Sequence, residues 1–258
     1  VTLLYVPQLD MRWDMAYPFA MPFLIWGVSW AFFELVGRLL KWPSKVRGAL
    51  ALVAGMGNIS FVGFPVVEAL YGEEGLKVAI FVGQGGFFVV SVVGVLVASA
   101  YSQKSGNWGS ILTDLWKFPP CMSFVVGVGL LSVGWEWPKE WKQMLEVLGK
   151  TLTPLAMASV GLQLQLRLGG LPVKELSLGL LYKLLLAPLA TYLLYFVLLS
   201  ESPLLLRVSV IEAAMPPMVT AAIIAGEYGL APKLASSLVG IGLVLSALTL
   251  AGWYWVLA

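Results

Sequence analysis

Apolar stretches long enough to cross a lipid bilayer recur along most of this sequence. A bilayer core about 30 Å thick requires roughly 20 apolar residues in helical conformation. Charged residues make up only 12% of the 258 residues, too few to cover the surface of a water-soluble domain of this size. We therefore predict an all-α polytopic membrane protein with eight spanning segments, at residues 15–40, 46–71, 76–101, 119–135, 141–166, 175–199, 203–228 and 232–257.

The composition excludes several kinds of site. There is no histidine, which rules out zinc-protease helices, Ser/His/Asp triads and haem bound through imidazole. Cys121 is the single cysteine, so no disulfide can form within the chain. The net charge is +2 and the basic residues lie in short separate loops, which excludes a nucleic-acid-binding surface. We predict that the protein is not an enzyme and uses neither a cofactor nor a metal ion.

Two of the predicted spans contain helix-breaking residues near the middle of the membrane. Segment 203–228 is interrupted by Met215, Pro216 and Pro217. Irregular backbone at this depth is tolerated only where it is buried in protein or lines a wet cavity, so the breaks predict a cavity. The interruption in segment 46–71 is longer, and its residues are Gly55, Gly57, Asn58, Ser60, Gly63 and Pro65.

A weak internal repeat connects the two breaks. Tyr71-Gly72 recurs as Tyr228-Gly229, and at the same offset Asn58 falls on Met215 beside the two prolines. The copies begin at the second and seventh spans, so we expect an inverted repeat, which is typical of secondary transporters. The predicted arrangement is one membrane transport domain over 1–258, with a first repeat at 1–101, an amphipathic linker at 102–118 and a second repeat at 119–258. Since the first repeat has two fewer spans, we expect eight of ten helices to be present.

Basic residues indicate the orientation of the chain. Arg38, Lys41, Lys45 and Arg47 form a compact cluster at one end of the first span, and such clusters favour the cytoplasmic side. We therefore expect both termini outside, in a bacterial inner (plasma) membrane. Glu34 precedes Arg38 by four residues, a spacing that predicts an ion pair on one helix.

Both break regions resemble the signatures of a known family. GNISFVGFPVVEALYGEEGLKVAI, at 57–80, is similar to the first signature of the auxin efflux carrier family, and AAMPPMVTAAIIAGEYGLAPKLASSLV, at 213–239, is similar to the second. TPLAMASVGLQL and KLLLAPL resemble its seventh and eighth helices, so the likeness covers nearly the whole chain. It implies the fold of the bile/arsenite/riboflavin transporter-like superfamily, with two broken helices crossing near the bilayer centre. It also implies export of small organic anions.

The breaks themselves predict an anion site. Pro65 and Pro217 can each open a half-helix, whose first N–H groups lack acceptors and carry a partial positive charge suited to a carboxylate. No lysine or arginine lies within either break, so we expect amides and helix dipoles to hold the anion. The predicted substrate-binding residues are Asn58, Ser60, Gly63, Pro65, Met215, Pro216, Pro217 and Thr220, with Asn58, Ser60 and Thr220 as donors.

Alternative interpretations exist for several of these residues. Asn58 could cap its own helix break, and the prolines could be kinks without a ligand. Glu212, one turn before the second break, is a candidate for proton or cation coupling, or it could pair with a buried hydroxyl. Gln84, the second ion-coupling candidate, could instead join a helix contact that its neighbouring glycines allow. Lys183 lies about two turns into its span, close enough to reach the interface, and is not predicted as a site residue.

The sequence therefore predicts a secondary active or facilitative carrier that exports a small organic anion by alternating access. The alternatives are a sodium-coupled organic anion symporter of the bile acid type, an intramembrane hydrolase and a non-transporting membrane scaffold. The predicted partners are the anion and the lipid bilayer. Proton or sodium coupling and assembly as a homodimer are left open.

Overall fold

The computed structural model describes residues 13–102, 172–198 and 202–258, together with helix Lys139–Lys150 and a few positions near it between 122 and 155. Within these residues every regular element is a helix. In chain order they are α1 (Ala16–Leu39), α2 (Ser44–Val53), α3 (Phe64–Phe88), α4 (Val95–Ser102), α5 (Lys139–Lys150), α6 (Val173–Leu181), α7 (Ala187–Leu198), α8 (Pro203–Ala213), α9 (Val219–Glu227) and α10 (Pro232–Leu257).

Four helical runs of the described residues are long and apolar enough to cross a membrane. They are Trp13–Leu39, Ile59–Ser102, Val173–Leu198 and Pro232–Leu257. Large apolar side chains remain exposed on the outside of this bundle, among them Val197 and Leu248. Such a surface suits lipid rather than water, and the prediction of an all-α membrane protein is confirmed. Most of the predicted spans 119–135 and 141–166, and the linker 102–118, lie outside the described residues.

The two spans predicted to be broken consist of short helices on either side of an irregular stretch. Residues 54–58 separate α2 from a π-helical turn, Ile59–Gly63, that continues directly into α3. Residues 214–218 separate α8 from α9. After each break the chain changes direction at a glycine with positive φ: Gly72, at +66°, kinks α3 within its length, and Gly229, at +68°, follows α9. Glycine adopts this conformation without the steric penalty of a side chain, so the two Tyr-Gly pairs have the same backbone role.

Glycines also let helices approach the breaks closely. A Cβ at Gly242, on α10, would lie 2.6 Å from Pro217 Cδ. A Cβ at Gly179, on α6, would lie 2.7 Å from one methyl of Leu238 and 2.9 Å from one of Leu50. A side chain at either position would force these elements apart, so both helices pack directly against the broken elements.

A π-helical turn, Tyr182–Leu186, joins α6 to α7 and is fixed from two sides. Pro188 has no N–H to donate to the Leu184 carbonyl one turn earlier, and the Trp253 indole N–H donates to that carbonyl instead, at 3.0 Å. The Tyr182 hydroxyl donates to the Ile25 carbonyl of α1 at 2.8 Å. These bonds set the orientation of the turn, which carries Lys183.

Candidate functional site

The two breaks are hydrogen-bonded to each other through their backbones. The Asn58 N–H donates to the Pro216 carbonyl at 2.8 Å, and the Met218 N–H donates to the Met56 carbonyl at 2.9 Å. Between these bonds Gly57 and Pro217 face each other as a short antiparallel bridge. Segments far apart in the chain thus meet at one position.

The bridge explains why a proline is tolerated at position 217. Both hydrogen bonds come from the residues that flank the Gly57–Pro217 pair, so this pair is a non-hydrogen-bonded one and needs no N–H from either member. The prediction that Pro217 opens a half-helix is wrong, because α9 begins at Val219. Pro65 is the second residue of α3, but the π turn before it moves the start of the helical run to Ile59.

Two helix N-termini therefore flank the bridge. Asn58 is the N-cap of the run that begins at Ile59, and Met218 is the N-cap of α9. The first N–H groups of each run have no acceptor within their own helix and carry the positive end of the helix dipole. The sequence predicts two helix N-termini at this place. The first helical run begins before Pro65, at Ile59, and the second begins after Pro217, at Val219.

The predicted donors lie beside the bridge with different degrees of burial. Asn58 is buried, and its side chain makes no capping hydrogen bond, so the capping role that the sequence left open is not observed. Ser60 and Thr220 are half-buried in the first turns after the two breaks. Met215, Pro216 and Pro217 are buried at the second break.

Glu212 is the most unusual of the predicted site residues. It lies in the last turn of α8 and is 1% exposed, and neither of its buried carboxylate oxygens has a hydrogen-bond partner among the described residues. Pairing with a buried hydroxyl, the alternative that the sequence left open, is therefore wrong. A Cβ at Gly63 would overlap the carboxylate, so the glycine makes room for it. Buried ionisable groups of this kind are expensive in a membrane and mark functional sites.

Lys183 is a buried charged residue beside the two breaks that the sequence did not lead us to expect there. It is 1% exposed and does not reach an interface, and its Nζ donates to the Ala213 carbonyl at 2.8 Å. A Cβ at Gly57 would lie 3.1 Å from that Nζ, so the ammonium lies directly at the bridge. Neither break contains a lysine or arginine of its own, but the turn Tyr182–Leu186 places this ammonium beside them. The sequence did contain a signal for this residue: an ionisable residue inside a membrane span is a candidate site residue by default, and Lys183 lies inside the predicted span 175–199.

A small cavity of about 20 Å³ adjoins these groups. Glu212 and Lys183 both line it, together with Gly57, Ile59 and Met218 from the two breaks. A cavity of this size holds about one water molecule, and Glu212 and Lys183 are the charged residues in an otherwise mostly apolar lining. Gln84 is buried on α3, where the neighbouring Gly86 lines the cavity.

Comparison with known proteins gives the family. The family model described as membrane transport protein matches residues 8–254. An uncharacterized transporter of Methanocaldococcus jannaschii is 30% identical over 227 residues, 86% of this chain and 73% of the relative. One of Methanothermobacter thermautotrophicus is 34% identical over 206 residues, 79% of this chain and 66% of the relative.

A more distant relative is the uncharacterized transporter YfdV of Escherichia coli, which is 25% identical over 240 residues, 87% of this chain and 73% of the relative. All of these relatives are named as transporters, in agreement with the signatures at the two breaks. The chain belongs to the membrane transport protein family, the family of the auxin efflux carriers.

Proposed function

We propose that this protein carries a small organic anion with a carboxylate group, and that the anion binds where the two breaks meet. The observation that carries this proposal is the antiparallel contact of Gly57 with Pro217, which brings two helix N-termini to one position. Each N-terminus offers unpaired N–H groups and a partial charge of about +0.5. Two of them together compensate one carboxylate without a side-chain cation in contact with it.

The residues of the first turns supply the remaining donors. Asn58 is the N-cap of the first half-helix, and Ser60 and Thr220 lie in the first turns of the two half-helices. Their amide and hydroxyl groups can donate to carboxylate oxygens. The Lys183 ammonium, which donates to the Ala213 carbonyl, also lies beside the bridge. A hydrogen bond to a charged group contributes about 1.5–3 kcal/mol, so loss of one donor should weaken binding by at least about tenfold.

The repeated local structure supports transport by alternating access. A broken helix, a turn at a glycine with positive φ and a long helix follow one another in the same order around Gly72 and around Gly229. We propose that they belong to two inverted repeats of a ten-helix fold like that of the bile acid symporters. One bundle would rock against the other around the bridge. The basic cluster of the α1–α2 turn would face the cytoplasm of a bacterium, both termini would lie outside, and transport would be export.

The test is flux of labelled mono- and dicarboxylates in liposomes that contain the purified protein. We expect flux of at least one acid above that of empty liposomes, and a decrease of about tenfold or more in Asn58→Ala. Proton and sodium gradients, imposed separately, identify the coupling ion.

The matched control is a pair of serine variants. Ser60→Ala removes a proposed donor, whereas Ser236→Ala removes a hydroxyl that is bonded to the Lys233 carbonyl on an exposed face of α10. We expect only the first to lower flux. Equal flux in protein-containing and empty liposomes for every acid, or wild-type flux in Asn58→Ala, would contradict the proposal.

A further inference from the structure

The Lys183 ammonium lies at the C-terminal end of α8. Its acceptor, the Ala213 carbonyl, belongs to the last residue of that helix. The final carbonyls of a helix have no partner within it and carry a partial negative charge, so a cation is stabilised there. The contact is therefore both a hydrogen bond and a favourable interaction with the helix dipole.

In carriers built from broken helices, half-helix C-termini and unwound carbonyls are the groups that coordinate a coupling cation. Here Glu212 adds a carboxylate with two unpaired oxygens, and it lines the same cavity as Lys183. Carbonyl and carboxylate oxygens are suitable ligands for a small hard cation. The ammonium already lies among them.

Among the described residues, the corresponding helix end at the first break has a neutral partner. The carbonyl of Ala51, near the end of α2, accepts a hydrogen bond from the Ser29 hydroxyl at 3.3 Å. Ser29 belongs to α1 and is fully buried. The Lys183 ammonium also lies beside Gly57 of the first break, but its hydrogen bond goes to the Ala213 carbonyl at the second.

We propose that Lys183 is a tethered cation that occupies the position of a mobile coupling cation, so that the wild-type protein does not bind sodium there. The ammonium and the Glu212 carboxylate together have no net charge. A further cation would leave an uncompensated positive charge in a low-dielectric interior, which is strongly unfavourable. Removing the ammonium leaves a site for a small monovalent cation between Glu212 and the Ala213 carbonyl. This inference rests on the proposed function, because it treats the joined breaks as a transport site.

The test is thermal unfolding and ²²Na⁺ binding of the purified full chain in detergent, across a sodium chloride series with choline chloride keeping ionic strength constant. For the wild type we expect no saturable binding and no sodium-specific change in Tm. For Lys183→Ala we expect saturable ²²Na⁺ binding and a sodium-dependent rise in Tm of at least about 2 °C. The double variant Lys183→Ala/Glu212→Gln should lose both effects.

Lys45→Ala, which removes an exposed lysine at the start of α2, is the matched control and should behave as the wild type. If the alanine variant does not fold, Lys183→Gln also removes the ammonium and is measured in its place. Saturable sodium binding by the wild type would overturn the proposal, and so would a folded neutral variant at position 183 that binds no sodium. These readouts do not involve carboxylate flux, so failure of the anion assignment would be seen separately.

Discussion

Glu34 and Glu212 are two carboxylates within the same apolar bundle, and their surroundings are opposite. Glu34 accepts hydrogen bonds from Arg38 Nε at 2.6 Å, Arg47 Nη1 at 2.8 Å and the Tyr101 hydroxyl at 2.6 Å. Glu212 is more deeply buried and accepts no hydrogen bond from the part of the chain that the structure describes. The predicted ion pair of Glu34 with Arg38 is confirmed, and the cluster extends it to α2 and α4.

The difference separates a carboxylate that stabilises the bundle from one that does not. The bonds to Glu34 stabilise a fixed arrangement of α1, α2 and α4 at one end of the bundle. The Glu212 oxygens, which have no hydrogen bond among the described residues, contribute nothing comparable to stability, because a buried group without partners costs free energy. The position of this carboxylate beside a cavity and a buried lysine is the reason that it belongs to the candidate site.

The largest expected effect comes from filling the space that Glu212 occupies. Gly63→Leu places a side chain where even a Cβ would overlap the carboxylate, so we expect destabilisation of about 3 kcal/mol. Thermal unfolding in detergent measures it, with Gly27→Leu as control because a Cβ at Gly27 meets nothing within 4 Å. The loss should be partly recovered in Gly63→Leu/Glu212→Ala. No recovery in that double variant would show that the leucine collides with something other than the carboxylate.

A smaller loss of stability is expected at Glu34, the carboxylate that accepts three hydrogen bonds. Glu34→Gln keeps the shape of the side chain but replaces one acceptor oxygen with a donor, and we expect a loss of about 2 kcal/mol from weakened bonds to Arg47 and Tyr101. Glu74→Gln is the matched variant. The side chain of Glu74 is 71% exposed and pairs with Lys77, so it should change stability by no more than about 0.5 kcal/mol. Equal losses of stability in the two variants would mean that the bonds to Glu34 do not stabilise the packing of α1, α2 and α4.

The smallest effect is expected within the Glu34 cluster itself. The side chain of Arg38 is 72% exposed, and Arg38→Ala should cost only about 0.3–0.5 kcal/mol. The side chain of Arg47 is 18% exposed and packs against Gly37, so Arg47→Ala should cost clearly more. Chemical or thermal unfolding of both variants gives the order, and a reversed order would contradict the assigned roles.

The parts of the candidate site that depend on local backbone conformation were predictable from the sequence. Glycine and proline limit which conformations a helix can hold, so the interruptions around Asn58 and Pro217 were found at their correct positions. Gly72 and Gly229 were found as a repeated Tyr-Gly pair, and the structure gives the reason for the repeat, since both have a positive φ, which favours glycine. The start positions of the half-helices were less well predicted, because a π turn can absorb a proline such as Pro65 and a bridge can accommodate one such as Pro217.

The sequence by itself determined that the chain is an apolar helical membrane protein. It also determined where two of its helices break and which Tyr-Gly pair is repeated after each break. These properties depend on hydropathy and on conformational preferences that act over a few neighbouring residues. Only the tertiary structure decided that the breaks pair with each other, that Lys183 donates to the Ala213 carbonyl at the second break and that Glu212 has no hydrogen-bond partner among the described residues. The physical reason is that the cost of a buried charge depends on what packs around it, and those groups come from segments distant in the chain.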